Sequence, residues 1–192
     1  KDREYYSESW RVSKGGGPLL INGIHDIDNL RFATSLNIKS VYAVARNSIR
    51  NNPVEDSASV ILETCEGATI NYFLSDGIPS PWSYEFTVKE NPKYPYYTDN
   101  CYYFFGTKGS LAFPSFTMYS YEEENYGWEH ELITEKFDVE NNDPMTAELL
   151  HFIDVLRGEA EPLVTGEDGL ETLKVINAII ESAEKGQKID IH

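Results

Sequence analysis

Cysteine is scarce in this chain: 192 residues contain two, Cys65 and Cys101. That excludes a multi-bridge disulfide scaffold and leaves one bridge open, so the core must hold the fold. Neither cysteine has a histidine neighbour or a C-x-x-C partner, so a catalytic thiol or a metal site is not expected there. Low cysteine use suits a reducing compartment, and a cytoplasmic location is expected. Positive charge is also short, with 16 Lys and Arg against 32 Asp and Glu, a net of −16. Such a surface repels phosphate backbones and anionic lipid, so neither nucleic acid nor a membrane surface is an expected partner. No apolar run approaches the ~18–20 residues of a membrane helix. Residue 1 is a lysine, with no initiator methionine, apolar leader or basic leading segment. The chain is therefore expected to be processed or to be a piece of something longer. Fixed-period repeats and low-complexity tracts are missing too.

Apolar residues make up 41% and aromatics 13%, which is too rich for a disordered chain. Leu20, Ile24, Ile27, Leu30 and Ala33 recur at helical spacing after Gly15-Gly16-Gly17-Pro18, and Asn37 is a plausible stop. Period-two alternation then predicts strands at 41–45, 58–62, 68–74, 84–88, 102–105, 110–113, 117–121 and 132–137. Cys65-Glu66-Gly67-Ala68 reads as a tight hairpin. Asp143 and Pro144 open a helix carrying Leu149, Leu150, Ile153 and Leu156, which Gly158 ends. Thr165, with Asp168 three residues on, opens the next. Its expected apolar face holds Leu170, Leu173, Ile176, Asn177 and Ile180, and Lys185-Gly186 closes it. Strands grouped before helices predict an α+β fold, an open, largely antiparallel sheet with helices packed on one face. The other sheet face, if rich in Tyr and Phe, is a natural oligomer interface.

The densest chemical signal is the segment Gly15-Gly16-Gly17-Pro18 followed by Asn22, His25, Asp26 and Asp28. Glycines let backbone approach a ligand closely. A histidine one or two turns into the following helix can face that same space, and it titrates where protons move to or from a hydroxyl or carbonyl. The glycine run lacks G-x-G-x-x-G spacing and a preceding strand, so it is not a dinucleotide fingerprint. P-loop, H-E-x-x-H, G-x-S-x-G and EF-hand spacings do not occur, and no metal ligand set is expected. His130, His151 and His192 read as structural or solvated. A second candidate is the loop from Ser80 through Trp82, Tyr84 and Glu85 to Asn91. Aromatic faces there suit sugar rings, amides and carboxylates suit hydroxyls, and prolines limit the entropy lost on binding.

Taken in order, Trp10-Arg11, GGGPLLINGIHDIDNLRF, Glu55–Val60, Gly106–Leu111, Arg157-Gly158-Glu159 and Pro162-Leu163-Val164 span nearly the whole chain. Together they resemble the C-terminal domain of the glucose–fructose oxidoreductase/inositol dehydrogenase (Gfo/Idh/MocA) family. The resemblance implies one substrate-binding and oligomerisation domain over 1–192, paired with an N-terminal Rossmann domain that this chain lacks. It implies hydride transfer between NAD or NADP and a hydroxyl or carbonyl carbon of a sugar, cyclitol or related polyol. His25 takes the position of the family's catalytic histidine. Lys14 and Asn22, with Trp82, Tyr84 and Asn91, are the implied substrate contacts. Trp10 and Arg11 match a pair bordering the cofactor. The dinucleotide would be held mainly by the missing domain, so this chain alone is expected to bind none and to be inactive. A first sheet strand is expected just before residue 1, and a homo-oligomer through the sheet face is implied. Ile21 stands where many members carry an aspartate, and the neighbouring Asn22 can hydrogen-bond a hydroxyl but cannot act as a base. That departure keeps open an alternative, a non-catalytic ligand-binding or assembly domain derived from the family.

Overall fold

A computed structural model describes residues 1–2, 4–122, 124–140 and 143–192. Of the acidic run Glu122-Glu123-Glu124, Glu123 lies outside the described residues. The chain forms two compact units, one from Lys1–Ile78 with Leu163–His192 and one from Pro79–Pro162.

The first unit holds helix α1 (Ile24–Thr34), strands β1 (Ile38–Arg46), β2 (Ser57–Thr64) and β3 (Thr69–Ser75), helix α4 (Gly166–Lys185) and the short strand β8 (Ile189–Asp190). The strands form one antiparallel sheet in the order β3-β2-β1-β8. The hairpin expected at Cys65–Ala68 joins β2 to β3, with Gly67 at φ +89, where a side chain would be strained. Alternation sends Val41, Ala43, Ala58, Val60 and Leu62 to one face. There they meet Ile27 of α1 and Val175, Ile176 and Ile179 of α4 in one apolar cluster. The opposite face leaves Tyr42, Val44, Ile61 and Phe73 exposed, with Tyr42 directly across from Ile61 and Val44 across from Ser59.

Helix α4 starts where expected. Thr165 accepts the Asp168 amide and Asp168 reaches back to the Thr165 amide, a capping box. Its buried face is Thr172, Val175, Ile176, Ile179 and Ser182, whereas Leu170, Leu173 and Asn177 are exposed, contrary to the expected stripe. Small and polar residues can seat where partners exist. Ser182 accepts the Ala43 amide at 2.9 Å and donates to the Gln187 carbonyl at 2.6 Å, so its hydroxyl is satisfied against β1.

Two further expectations are corrected at the start and end of α1. Residues Leu19–Gly23 form a π-turn ahead of the α-helix. At 100° per residue Leu19 and Ile27 would point about 80° apart. The wider turn lets both reach the core, each 1% exposed. The helix ends at Ser35, left-handed at φ 55 and donating its amide to Arg31 O, not at Asn37. Asn37 instead donates from its backbone and side-chain amides to Glu66 at the hairpin.

The second unit carries α2 (Tyr84–Thr87), strands β4 (Tyr102–Phe105), β5 (Ser110–Phe113), β6 (Thr117–Ser120) and β7 (Ile133–Lys136), and helix α3 (Pro144–Arg157). Its strands form an antiparallel meander in chain order. The α+β class holds, with the antiparallel strands divided between two four-stranded sheets. The strand expected at 84–88 is a single helical turn, in which Val88 donates to Tyr84 O and Thr87 to Ser83 O. A five-residue apolar alternation does not by itself separate strand from helix. Packing decides: Tyr84 stacks near Phe113 and Tyr102, Phe86 meets Tyr94 and Tyr97, and Thr87 is buried. Helix α3 begins as expected, with Asp143 accepting the Met145 amide and Pro144 in the first turn. Its Leu149, Leu150 and Leu156 are exposed. Cys65 and Cys101 are not joined by a disulfide.

Candidate functional site

The glycine run is a tightly folded turn. Gly16 donates to Ser13 O at 2.8 Å and Gly17 to Arg11 O at 3.1 Å. A β-carbon on Gly16 would lie 2.4 Å from the Trp10 carbonyl oxygen, so only glycine fits. The turn is therefore built against the backbone of Trp10 and Arg11. Gly17 is left-handed at φ +86, and a β-carbon there would meet the Glu55 carboxylate at 2.5 Å. Glu55 also accepts the Leu19 amide at 2.9 Å. Burial pushes the pKa of Glu55 up, and the Leu19 amide opposes that shift.

The π-turn and α1 follow directly. Asn22 is half-buried on the π-turn, and His25 is exposed on the first turn of α1. Lys14, just before the glycines, is exposed. Helix α1 is pinned on two sides. Tyr72 of β3 donates to Asp26 at 2.8 Å. Thr172 of α4 donates to Asp28 at 2.8 Å, and Arg31 donates to Asp168 O and to Thr172. Asp26 and Asp28, read in the sequence as charges near a helix start, thus act as tethers. These hold the segment that presents His25.

Trp10 is 53% exposed. The Arg11 guanidinium lies 4.0 Å from the Tyr5 ring centroid and 5.1 Å from that of Trp10, and it donates to Tyr5 O. Arg11 Nε is buried with no hydrogen-bond partner among the described residues, a donor that a polar ligand atom could satisfy. The structure therefore brings Trp10, Arg11 and the glycine turn together in one unit with Asn22 and His25. An open hollow of about 340 Å³ lies elsewhere in this unit, lined by Arg31, Phe32, Leu36, Leu163 and Val164 among others, and includes neither His25 nor Asn22.

Trp82, Tyr84 and Asn91 belong to the second unit. Trp82 is exposed and its indole N–H donates to Asp99 at 2.9 Å, which fixes the ring. Tyr84 donates to Glu90 at 2.7 Å. Burial, and the Glu90 carboxylate it donates to, hold its phenol well above the usual range. Asn91 is exposed and its side-chain oxygen accepts the Lys93 amide at 3.0 Å. Glu55, Tyr72 and Thr172 were not singled out as site residues in the sequence. Each acts across 36 or more residues, a separation no local pattern encodes.

A family model described as "Oxidoreductase family, C-terminal alpha/beta domain" matches residues 1–191. The chain belongs to this family, the Gfo/Idh/MocA oxidoreductases, and is their C-terminal domain. No curated protein matches the sequence. Among solved structures, an aldose-aldose oxidoreductase from Caulobacter crescentus complexed with glycerol is similar at a TM-score of 0.69 and 22% identity, over 96% of this chain and 51% of that one. An NAD-binding protein from Listeria innocua matches at 0.67 and 22%, over 96% and 51%. The WlbA dehydrogenase from Bordetella pertussis, in complex with NADH and UDP-GlcNAcA, matches at 0.63 and 23%, over 100% and 51%. These likenesses establish the fold. This chain spans about half the length of the structures it resembles.

Among the described residues no helix is long and apolar enough to cross a membrane.

Proposed function

We propose that this chain is the substrate-binding and oligomerisation domain, over 1–192, of a cytoplasmic NAD(P)-dependent oxidoreductase acting on a hydroxyl or carbonyl carbon of a sugar, cyclitol or related polyol. The observation that carries this reading is the glycine turn folded onto Trp10 and Arg11, which leads straight into the turns bearing Asn22 and His25. The buried Arg11 Nε, without a partner among the described residues, and the half-exposed Trp10 ring beside it fit the edge of a flat group with hydrogen-bonding atoms. Trp10 and Arg11 would border a dinucleotide held mainly by an N-terminal Rossmann domain. The nicotinamide, when bound, supplies the hydride donor or acceptor.

The chain's own residues handle the substrate oxygen. His25, exposed to solvent at the head of α1, exchanges a proton with the hydroxyl that becomes a carbonyl, or the reverse. Asn22 offers both a donor and an acceptor to a neighbouring hydroxyl. Lys14 supplies a cation beside the same turn. Trp82, held by Asp99, with Tyr84 and Asn91, forms a candidate sugar-binding group of its own on the second unit. The solved relative carrying glycerol and the one carrying NADH with a nucleotide sugar support a polyhydroxylated substrate and a nicotinamide cofactor.

Assayed with NAD⁺ and with NADP⁺ against a panel of sugars, cyclitols and polyols, the intact protein is expected to form NADH or NADPH with at least one, and this chain alone with none. Ligand binding by the intact protein without any turnover would instead identify the non-catalytic binding domain left open by Ile21.

The exposed sheet face of Tyr42, Val44, Ile61 and Phe73 supports a homo-oligomer interface. Charge at the centre of such a patch costs desolvation on association. The Ile61→Asp protein is therefore expected to sediment as a monomer where the parent is an oligomer. Unchanged sedimentation of an oligomeric parent would place the interface elsewhere.

A further inference from the structure

The first free amide of the π-turn has an unusual partner. Pro18 precedes Leu19 and has no N–H of its own, and no side chain next to the turn caps it. The Leu19 amide is capped from 36 residues away by Glu55 Oε1 at 2.9 Å. The same carboxylate fills the space where a β-carbon of Gly17 would stand, with both oxygens and the carboxyl carbon within 2.8 Å of that point. So Glu55 meets the turn twice, once as the acceptor of the Leu19 amide and once by filling the space beside Gly17, whose φ of +86 already favours glycine.

Glu55 adjoins an anchored residue. Its neighbour Asp56 is 2% exposed and accepts the amides of Ile49 and Arg50 at 2.8 and 2.9 Å. The Asp56 amide donates to Arg46 O at 2.8 Å. Strand β2 begins at the next residue. The carboxylate thus stands two residues ahead of β2, beside an anchored residue. It transmits the position of the sheet to the turn that starts α1. Leu19, whose amide it takes, is buried, so amide and side chain fix the turn together. Asn22 and His25 follow within six residues, with no flexible segment between.

We propose that Glu55 is a positioning residue for the reaction. By accepting the Leu19 amide and fitting against Gly17, it sets the start of the π-turn and so the place of Asn22 and His25. This rests on the reading of those two residues as the substrate-handling groups. The chemistry requires an acceptor at full glutamate length. Charge is secondary, because a glutamine oxygen can accept the same amide. An aspartate is one methylene short and cannot reach both the amide and Gly17.

The test compares Glu55→Gln with Glu55→Asp in the intact protein, with two readouts. The first is hydrogen exchange at the Leu19 amide, with the amides of Leu62 and Ile179 as core references. The second is kcat/KM. In Glu55→Asp, Leu19 is expected to exchange on the order of tenfold faster or more, with core protection unchanged. Its kcat/KM is expected to fall by about 10–100-fold, the size of effect a 1 Å misplacement produces. Glu55→Gln is expected to keep both within about threefold of the parent.

Unchanged Leu19 exchange in Glu55→Asp would overturn the clamp. Faster exchange throughout the core would make Glu55 a stability residue and overturn its positioning role. A loss in Glu55→Gln equal to that in Glu55→Asp would show that charge, not reach, matters, and would overturn the proposal as stated. Faster Leu19 exchange with unchanged kcat/KM would leave the clamp standing. It would overturn the reading of Asn22 and His25 as the site, and with it the part of Glu55 in the reaction.

Discussion

Replacing His25 by alanine in the intact protein is expected to lower kcat/KM by roughly 10²–10⁴, the range of a positioned acid–base group. The imidazole is exposed at the head of a helix whose two aspartates are engaged. Asp26 is taken by Tyr72, and Asp28 by Thr172. Ile21 has no proton to offer, and Asn22 does not titrate near neutrality. On this helix start, proton transfer therefore falls to His25. The loss should show in steady-state kinetics at saturating dinucleotide, with unfolding temperature close to the parent's because the side chain supports no core contact. A loss under about threefold in kcat/KM would remove His25 from the acid–base role.

The second large effect is on stability. Leu62→Ala is expected to cost about 2–5 kcal/mol. Leu62 is 0% exposed in β2, at the centre of the sheet and under the helices. Truncation removes buried methyl groups and leaves a void, and the sheet backbone on both sides restricts its collapse. Denaturant titration should show a lower midpoint with an unchanged slope. A cost below about 1 kcal/mol would mean that the helices settle into the vacated space.

Local chemistry made much of the fold legible. Gly67 marks the hairpin, Asp143-Pro144 the start of α3, the Thr165–Asp168 pair the start of α4, and Gly158 and Gly186 two helix ends. Each of these signals lies within a few residues of the feature it specifies. The misread features depend on distant partners. Tyr84–Thr87 coils because its aromatics have rings to meet in β4 and β5 and in the 94–97 segment. The buried face of α4 is set by β1, including the amide of Ala43, so Leu170 and Leu173 are left outside. The π-turn arises because Leu19 and Ile27 share one core. The two-residue strand β8 is too short for any periodicity to register.

The site divides in the same way. The glycines, Asn22 and His25 stand together in the sequence and invite one reading. Glu55 opens a segment that the family resemblance picks out, but nothing in the sequence ties it to the glycine turn. Its meaning appears only when Gly17 and Leu19 are seen against it.

The first unit is assembled from two separated stretches, Lys1–Ile78 and Leu163–His192. During synthesis, the strand that carries Leu62 therefore leaves the ribosome about 100 residues before the helix α4 that covers it. Val175, Ile176 and Ile179 come late, and β8 closes the edge beside β1 last of all. Until then the nascent sheet carries an open edge and an apolar face covered only in part, by α1. That interval is when chaperones would have the most to hold, and when a stalled or clipped chain would be most prone to aggregate.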